Sequence, residues 1–197
     1  MAARNSDLRY GSVAMTFHWI IAVLLIANIA LGLYAVGLPR GDPGKFALFQ
    51  FHKSIGLTVL ALSLLRLGWR LINTVPPLPL GMHPAVAFFA RATHVTFYLL
   101  IILIPLSGWV MVSASPLGNG TLFFGLFTLP NLPLFGGLPR AELKPWHELF
   151  EAAHVYLAWA SIALIPIHVV AALYHQLLRR DDVLRRMVPG TNVSDRA

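Results

Sequence analysis

Four long apolar stretches dominate this sequence, and they lie at about residues 14–37, 47–71, 86–113 and 148–178. A helix needs about 20 apolar residues to cross the roughly 30 Å hydrocarbon core of a bilayer. The composition agrees, because 57% of the residues are hydrophobic and only 12% are charged. A water-soluble domain rarely hides so much apolar surface. The sequence therefore predicts an all-α integral membrane protein, a multi-pass four-helix bundle formed as one domain over residues 1–197.

The basic residues indicate how the helices are oriented in the membrane. With four spans, both termini lie on one side, which carries ten of the fifteen Lys and Arg residues, and the other side carries five. The positive-inside rule therefore places both termini in the cytoplasm. We read the first stretch as a retained span, because its apolar run is long for a signal peptide. Since the charges flank membrane spans, we expect the lipid bilayer as a partner and no nucleic acid.

The histidines suggest what the bundle holds. His154 and His168 are fourteen residues apart, just under four helical turns, so their imidazoles point to nearly the same side about 21 Å apart along the axis. An ionisable residue in the hydrocarbon region usually faces the bundle interior with a partner. His18 enters the first stretch at the depth of His168, and His52 enters the second at the depth of His154. The spacing predicts two depth-matched pairs, His18 with His168 and His52 with His154.

Each pair has the chemistry to hold a metal. The chain has no cysteine, which excludes thiolate-bound zinc, iron–sulfur clusters and covalently attached haem. Neutral imidazole suits iron, and each pair is able to clamp one haem iron from opposite faces. Zinc or copper at the same pairs stays open, although two histidines are an incomplete zinc set. With both axial positions filled, a haem carries electrons rather than activating a bound substrate. Small residues that would make room for porphyrin are Ala22, Gly32 and Gly56.

Several motifs resemble the bacterial cytochrome b561 family over about residues 8–190. They are Phe17-His18-Trp19, residues 50–56 (QFHKSIG), residues 105–109 (PLSGW), residues 124–126 (FGL) and residues 180–187 (RDDVLRRM). This family comprises small four-helix dihaem proteins of the bacterial inner membrane. The cytochrome b subunits of membrane hydrogenases and formate dehydrogenases are similar. In one departure, the His-Glu pair that often starts the family's fourth helix occurs at 147–148, which makes His147 a rival to His154 as ligand.

The resemblance implies two b-type haems and electron transfer between a periplasmic donor and ubiquinone. One activity of the family is superoxide:ubiquinone oxidoreductase, so we expect an oxidoreductase that oxidises periplasmic superoxide and has no catalytic side chain of its own. The alternative is a cytochrome b subunit linking the quinone pool to a periplasmic or membrane protein partner. A histidine-based metal transporter is less favoured, since the hydrophobic centres lack acidic residues.

Two further sets of residues are candidates for these roles. A quinone site needs a hydrogen-bonding group near the inner haem, and the candidates are His175, about two turns beyond His168, and His94 and Arg91 of the third stretch. Superoxide is a small anion, so a cationic outer mouth would raise its on-rate. The basic residues of the outer segments are Arg40, Lys45, Lys53, Arg140 and Lys144. The apolar loop 114–146 is expected to pack on the membrane surface or to cover the bundle.

Overall fold

The computed structural model describes residues 2–79, 81–118, 120–191 and 193. Its long helices are α1 Ser12–Gly37, α2 Lys45–Leu71, α3 Pro84–Ser113 and α4 Arg140–Tyr174. All four are long and apolar enough to cross a membrane. They fit a membrane four-helix bundle, which confirms the predicted helical membrane architecture. The side on which the termini lie stays a prediction.

The start of α4 differs from the expected one. The first three helices begin within two residues of the predicted positions, but α4 begins at Arg140 rather than near residue 148. The carbonyl of Pro139 accepts hydrogen bonds from the amides of Glu142 and Leu143 at 2.9 and 3.3 Å, so a first turn forms ahead of Pro145. Pro145 is the sixth residue of α4 and lacks an amide proton, so the helix continues through it without one i→i−4 hydrogen bond.

A small β-hairpin lies between α3 and α4, within the segment predicted as a loop. Strands β1 Thr121–Phe123 and β2 Phe127–Leu129 pair antiparallel, and Phe124 and Gly125 of the turn have positive φ. Side chains of α2 accept the hydrogen bonds that a neighbouring strand would otherwise accept from the hairpin. The Leu122 amide donates to Gln50 Oε1 at 2.9 Å, and the Phe124 amide donates to Ser54 Oγ at 3.0 Å. Three-residue strands need such outside partners for stability, and the sequence of the loop alone does not show them.

The Cα positions divide the chain into two compact units, and each contains a segment of all four long helices. The terminal unit comprises Met1–Ile21, Leu62–Leu99 and Ser161–Ala197. The hairpin unit comprises Ala22–Ala61 and Leu100–Ala160. That the whole chain works as one domain stays a prediction.

In the terminal unit, the two ends of the chain are held together by backbone acceptors. The Trp19 indole donates to the Met187 carbonyl at 2.8 Å, and the Arg9 guanidinium donates to the Thr191 carbonyl at 2.9 Å. Arg186 donates to the Pro77 carbonyl in the link between α2 and α3. Arg186, one of the basic residues that follow α4, therefore helps to hold the C-terminal segment against the link between α2 and α3.

Candidate functional site

In the hairpin unit, His52 of α2 faces His154 of α4. Their ring centroids are 6.1 Å apart and the ring planes are inclined by 84°. His52 Nδ1 lies 3.1 Å from the carbonyl oxygen of Asn28 in α1, and His154 Nδ1 lies 2.8 Å from that of Ile104 in α3. Because a carbonyl oxygen only accepts, each Nδ1 carries the proton and donates. Each Nε2 is then left with the lone pair that binds metals.

This arrangement fits a haem iron between the two rings. Two metal–imidazole bonds of about 2 Å, one to each Nε2, place the ring centroids about 6 Å apart, which matches the observed separation of 6.1 Å. Both imidazoles are neutral donors with a fixed tautomer, as iron ligation requires. The donor set and the spacing of the hairpin unit therefore suit a haem with two axial histidines.

Two glycines give the histidine rings their room. A Cβ at Gly32 would lie 2.8 Å from Cε1 of His52, and a Cβ at Gly108 would lie 3.1 Å from Cε1 of His154. Gly56, another predicted lining residue, has only an ordinary van der Waals neighbour at 3.5 Å. Gly32 was among the predicted lining residues, whereas Gly108 was not, although it belongs to the motif at 105–109.

His147 takes a different position from His154. Its Nδ1 lies 2.9 Å from the carbonyl oxygen of Met111 in α3. The ring that faces His52 belongs to His154. The geometry thus favours His154 over His147, and ligation by either residue stays a prediction.

In the terminal unit, three imidazoles converge rather than two. The ring centroid of His168 lies 6.4 Å from that of His18 and 5.9 Å from that of His94, and the planes are inclined by 66° and 67°. Phe97 packs edge-on against His168 at 5.1 Å. The predicted pair is brought together, but His94, expected at a quinone site, lies 0.5 Å closer to His168 than His18 does. His94 is therefore a second candidate partner across a haem.

Two arginines bring positive charge to these imidazoles. The guanidinium groups of Arg66 and Arg70 each lie 5.3 Å from the ring centroid of Tyr98. The positive charge of Arg66 is close enough to interact electrostatically with the imidazoles of His18, His94 and His168. Charged guanidinium groups bind carboxylates well, so this side of the terminal unit suits the propionates of a haem. Arg91, the other basic quinone candidate, is exposed.

His175 has a partner that sequence analysis missed. Its Nδ1 lies 2.6 Å from Oδ2 of Asp181, and both side chains are largely buried. The only available signal was an acidic residue six positions after a histidine, which is too common a spacing to be informative.

Most of the predicted steering residues are engaged in contacts within the hairpin unit. Lys45 Nζ donates to the Leu38 carbonyl at 2.6 Å just beyond α1, and Lys53 Nζ donates to the Gly120 carbonyl at 3.3 Å. Lys144 lies 3.7 Å from a glutamate one turn further along α4, whereas Arg40 and Arg140 are exposed. The same segments contain the acidic residues Asp42, Glu142, Glu148 and Glu151. Five cations and four anions leave a net charge of only +1, so any attraction of an anion must be local.

Four apolar spanning helices with facing imidazoles are the arrangement of a membrane cytochrome b. The family model described as prokaryotic cytochrome b561 matches residues 9–190, and the chain belongs to that family. Membership confirms the resemblance and implies haem b binding and electron transfer within a membrane.

Similar proteins cover nearly the whole chain. Cytochrome b561 homolog 2 of Escherichia coli (strain K12) is 33% identical over 196 residues, which are 99% of this chain and 98% of that protein. A probable superoxide oxidase, CybB, of Yersinia pestis is 27% identical over 92% of this chain and 96% of its own. Cytochrome b562 of Cereibacter sphaeroides (strain ATCC 17023) is 27% identical over 91% and 94%.

Gly32→Val is expected to weaken haem binding in the hairpin unit by about ten- to a hundredfold, because overpacking typically costs about 1–3 kcal/mol. The added side chain would displace the His52 ring, whose Cε1 already lies 2.8 Å from the Cβ position. Titration of the haem-depleted protein with haemin measures the affinity. Gly37→Val in the same helix is the control, because a Cβ there meets nothing within 4 Å. Equal haem affinity in the two variants would contradict the assigned role of Gly32.

Proposed function

We propose that this chain is a dihaem oxidoreductase of the bacterial inner membrane that oxidises periplasmic superoxide and reduces ubiquinone. His52 and His154 would hold one haem b, and His18 and His168 the other. When bound, haem iron supplies one-electron transfer. The termini and the quinone would lie on the cytoplasmic side, in accordance with the distribution of basic residues.

One observation carries the proposal, namely the geometry of His52 and His154. The two rings are 6.1 Å apart, and each Nδ1 is occupied by a carbonyl contact. Both Nε2 lone pairs are therefore available to bind a metal between the rings. Two protein ligands per iron leave no open coordination site, which favours electron transfer over oxygen activation. On α4 itself, His168 follows His154 by fourteen residues, which correspond to roughly 21 Å of helical rise.

The overall reaction is balanced by two superoxide ions for each quinone. Two superoxide ions each lose one electron and become two dioxygen molecules, while ubiquinone gains two electrons and two protons and becomes ubiquinol. The chain must therefore pass two electrons one at a time, provide an apolar quinone site and deliver protons. An apolar groove of about 780 Å³ in the terminal unit, lined by residues such as Thr16, Trp19 and Val188, has the volume of a small-molecule site, and its lining does not include His175, His94 or Arg91. Small-molecule sites commonly have volumes of about 300–1,000 Å³.

The name of one similar protein also supports superoxide oxidation as the function. The Yersinia pestis protein is called a probable superoxide oxidase, and its similarity covers 92% of this chain. The near-balance of charge in the outer segments, +5 against −4, predicts weaker electrostatic steering than a strongly cationic mouth would give.

Superoxide is expected to reduce the purified, oxidised protein within milliseconds, and ubiquinone is expected to reoxidise it. Pulse radiolysis followed at the haem absorption bands measures the first step. We expect the rate of reduction to fall a few-fold when salt rises from about 10 to about 150 mM, because the Debye length shrinks from about 30 Å to about 8 Å. A rate that does not depend on salt would remove Arg40 and Arg140 from the steering role.

The second candidate function is an electron-transfer subunit with a protein partner. The hairpin region favours it, because large apolar side chains there are exposed, among them Leu117 and Leu126 at 78% and Phe127 at 52%. Such side chains suit either lipid or a partner protein. If superoxide leaves the haem bands unchanged while a quinol reduces them, this second function replaces the first.

A further inference from the structure

The end of α4 has an unusual backbone. After Tyr174 the helix widens into a π-helical turn, His175–Arg179, and Arg180 then adopts the left-handed conformation with φ 54°. π-Helical turns are rare and often occur at functional sites, and a left-handed arginine is strained because of its Cβ. The chain maintains this conformation just before Asp181.

After the strained turn, Asp181 makes two contacts with His175. The Asp181 amide donates to the His175 carbonyl at 3.2 Å, and Asp181 Oδ2 lies 2.6 Å from His175 Nδ1. The second carboxylate oxygen accepts from the Val183 amide at 3.2 Å. Both oxygens of Asp181 are thus engaged, and its orientation is fixed by the backbone on either side. The side chains of His175 and Asp181 are only 13% and 22% exposed.

This geometry defines the proton positions on the imidazole. An ionised carboxylate accepts only, so Nδ1 carries a proton and donates it to Asp181. Proton exchange is then confined to Nε2, which is the arrangement of a histidine acting as general acid and base. His175 follows His168 by seven residues, or two helical turns and roughly 10 Å, and both belong to the terminal unit.

We propose that Asp181 is a positioning residue that makes His175 the proton donor to the reduced quinone, an inference that rests on the proposed function. Nε2–H of the His175 imidazolium gives its proton to a quinone oxygen as that oxygen gains negative charge. The N–H bond breaks, an O–H bond forms, and a proton from water restores Nε2–H. The other quinone oxygen, at the opposite end of the ring, takes its proton from solvent, so that two protons and two electrons from the one-electron donor complete ubiquinol. Asp181 stays ionised throughout and holds the ring.

The test compares Asp181→Asn with Asp182→Asn in the full-length haem-loaded protein. Each variant removes one negative charge, but the Asp182 carboxylate lies 3.6 Å from Arg185 and belongs to a different ion pair. The proteins are reduced with dithionite, freed of excess reductant and mixed with ubiquinone-1, and haem oxidation is followed by stopped flow in H2O and D2O.

We expect Asp181→Asn to slow oxidation by quinone about a hundredfold, in the range for loss of a general acid, with a larger solvent isotope effect and an unchanged KM. Asp182→Asn should react like the unsubstituted protein. Asp181→Glu should restore most of the rate, because it keeps a carboxylate within reach of Nδ1. Haem content and the rate of haem reduction by superoxide should be the same in all variants.

Equal rates of oxidation in Asp181→Asn and Asp182→Asn would overturn the proposal while leaving the proposed function intact. If Asp181→Asn lowers the haem content or the Tm, His175→Gln becomes the deciding variant, and a full rate of quinone reduction there overturns the proposal. If the unsubstituted protein is not oxidised by quinone at all, both the proposed function and this inference fail.

Discussion

His168→Ala is expected to reduce the haem content from two per chain to one and to lower quinone reduction by at least about a hundredfold. The reason is that His168 is the centre of the terminal-unit cluster, with His18 at 6.4 Å and His94 at 5.9 Å. Whichever of these is its partner, the substitution removes the shared ligand. The pyridine haemochrome assay gives the haem content, and the low-temperature spectrum shows whether a single band remains.

Two comparisons sharpen this expectation. His83→Ala serves as the control, because His83 is an exposed histidine ahead of α3 and its loss should leave both haems. His18→Ala and His94→Ala then identify the partner, since only the true ligand should give the single-haem spectrum of His168→Ala. Loss of both haems in His168→Ala, with an unchanged Tm, would contradict separate haem sites in the two units.

His154→Ala is expected to remove the other haem and to abolish reduction by superoxide, while quinol still reduces the haem of the terminal unit. The substitution leaves His52 without the ring that faces it at 6.1 Å. His147→Ala is the matched variant from the same helix. It should keep both haems, because the ring that faces His52 belongs to His154, although the Nδ1 of His147 also lies against a main-chain carbonyl. Haem content and the rate of reduction by quinol distinguish the two variants.

The reverse result would reassign the ligand. Two haems in His154→Ala together with one in His147→Ala would show that the histidine of the His-Glu pair at 147–148 is the ligand in this chain. Full reduction by superoxide in His154→Ala would instead show that electrons enter elsewhere.

Much of the fold could be predicted from the sequence, because apolar runs of this length have few alternatives. The helices α1 to α3 begin close to their predicted positions for that reason. The early start of α4 was missed because Pro145 resembles a helix start, whereas the Pro139 carbonyl nucleates a turn further upstream. The hairpin was missed because its stabilising partners, Gln50 and Ser54, lie about seventy residues away on α2.

For the histidines, too, the arrangement along one helix was predictable from the sequence, whereas some contacts between helices were not. Helical periodicity predicted that His154 and His168, fourteen residues apart, lie on the same side of α4. Their expected depths in the membrane predicted the contacts of His154 with His52 and of His168 with His18, which the structure contains. The approach of His94 to His168 depends on how α3 rotates about its axis, which residue spacing on the other helices does not reveal. The Asp181 contact depends on a π-turn and a left-handed arginine, neither of which has a reliable sequence signature.

The acceptors that orient His52 and His154 have an evolutionary consequence. Both acceptors are main-chain carbonyl groups, those of Asn28 and Ile104. Every amino acid carries a carbonyl group, so point substitution at either position leaves the acceptor in place as long as the helix keeps its path. The orientation of these rings is therefore robust to drift at residues 28 and 104. Comparison of distant relatives should consequently find those positions variable although the contacts persist.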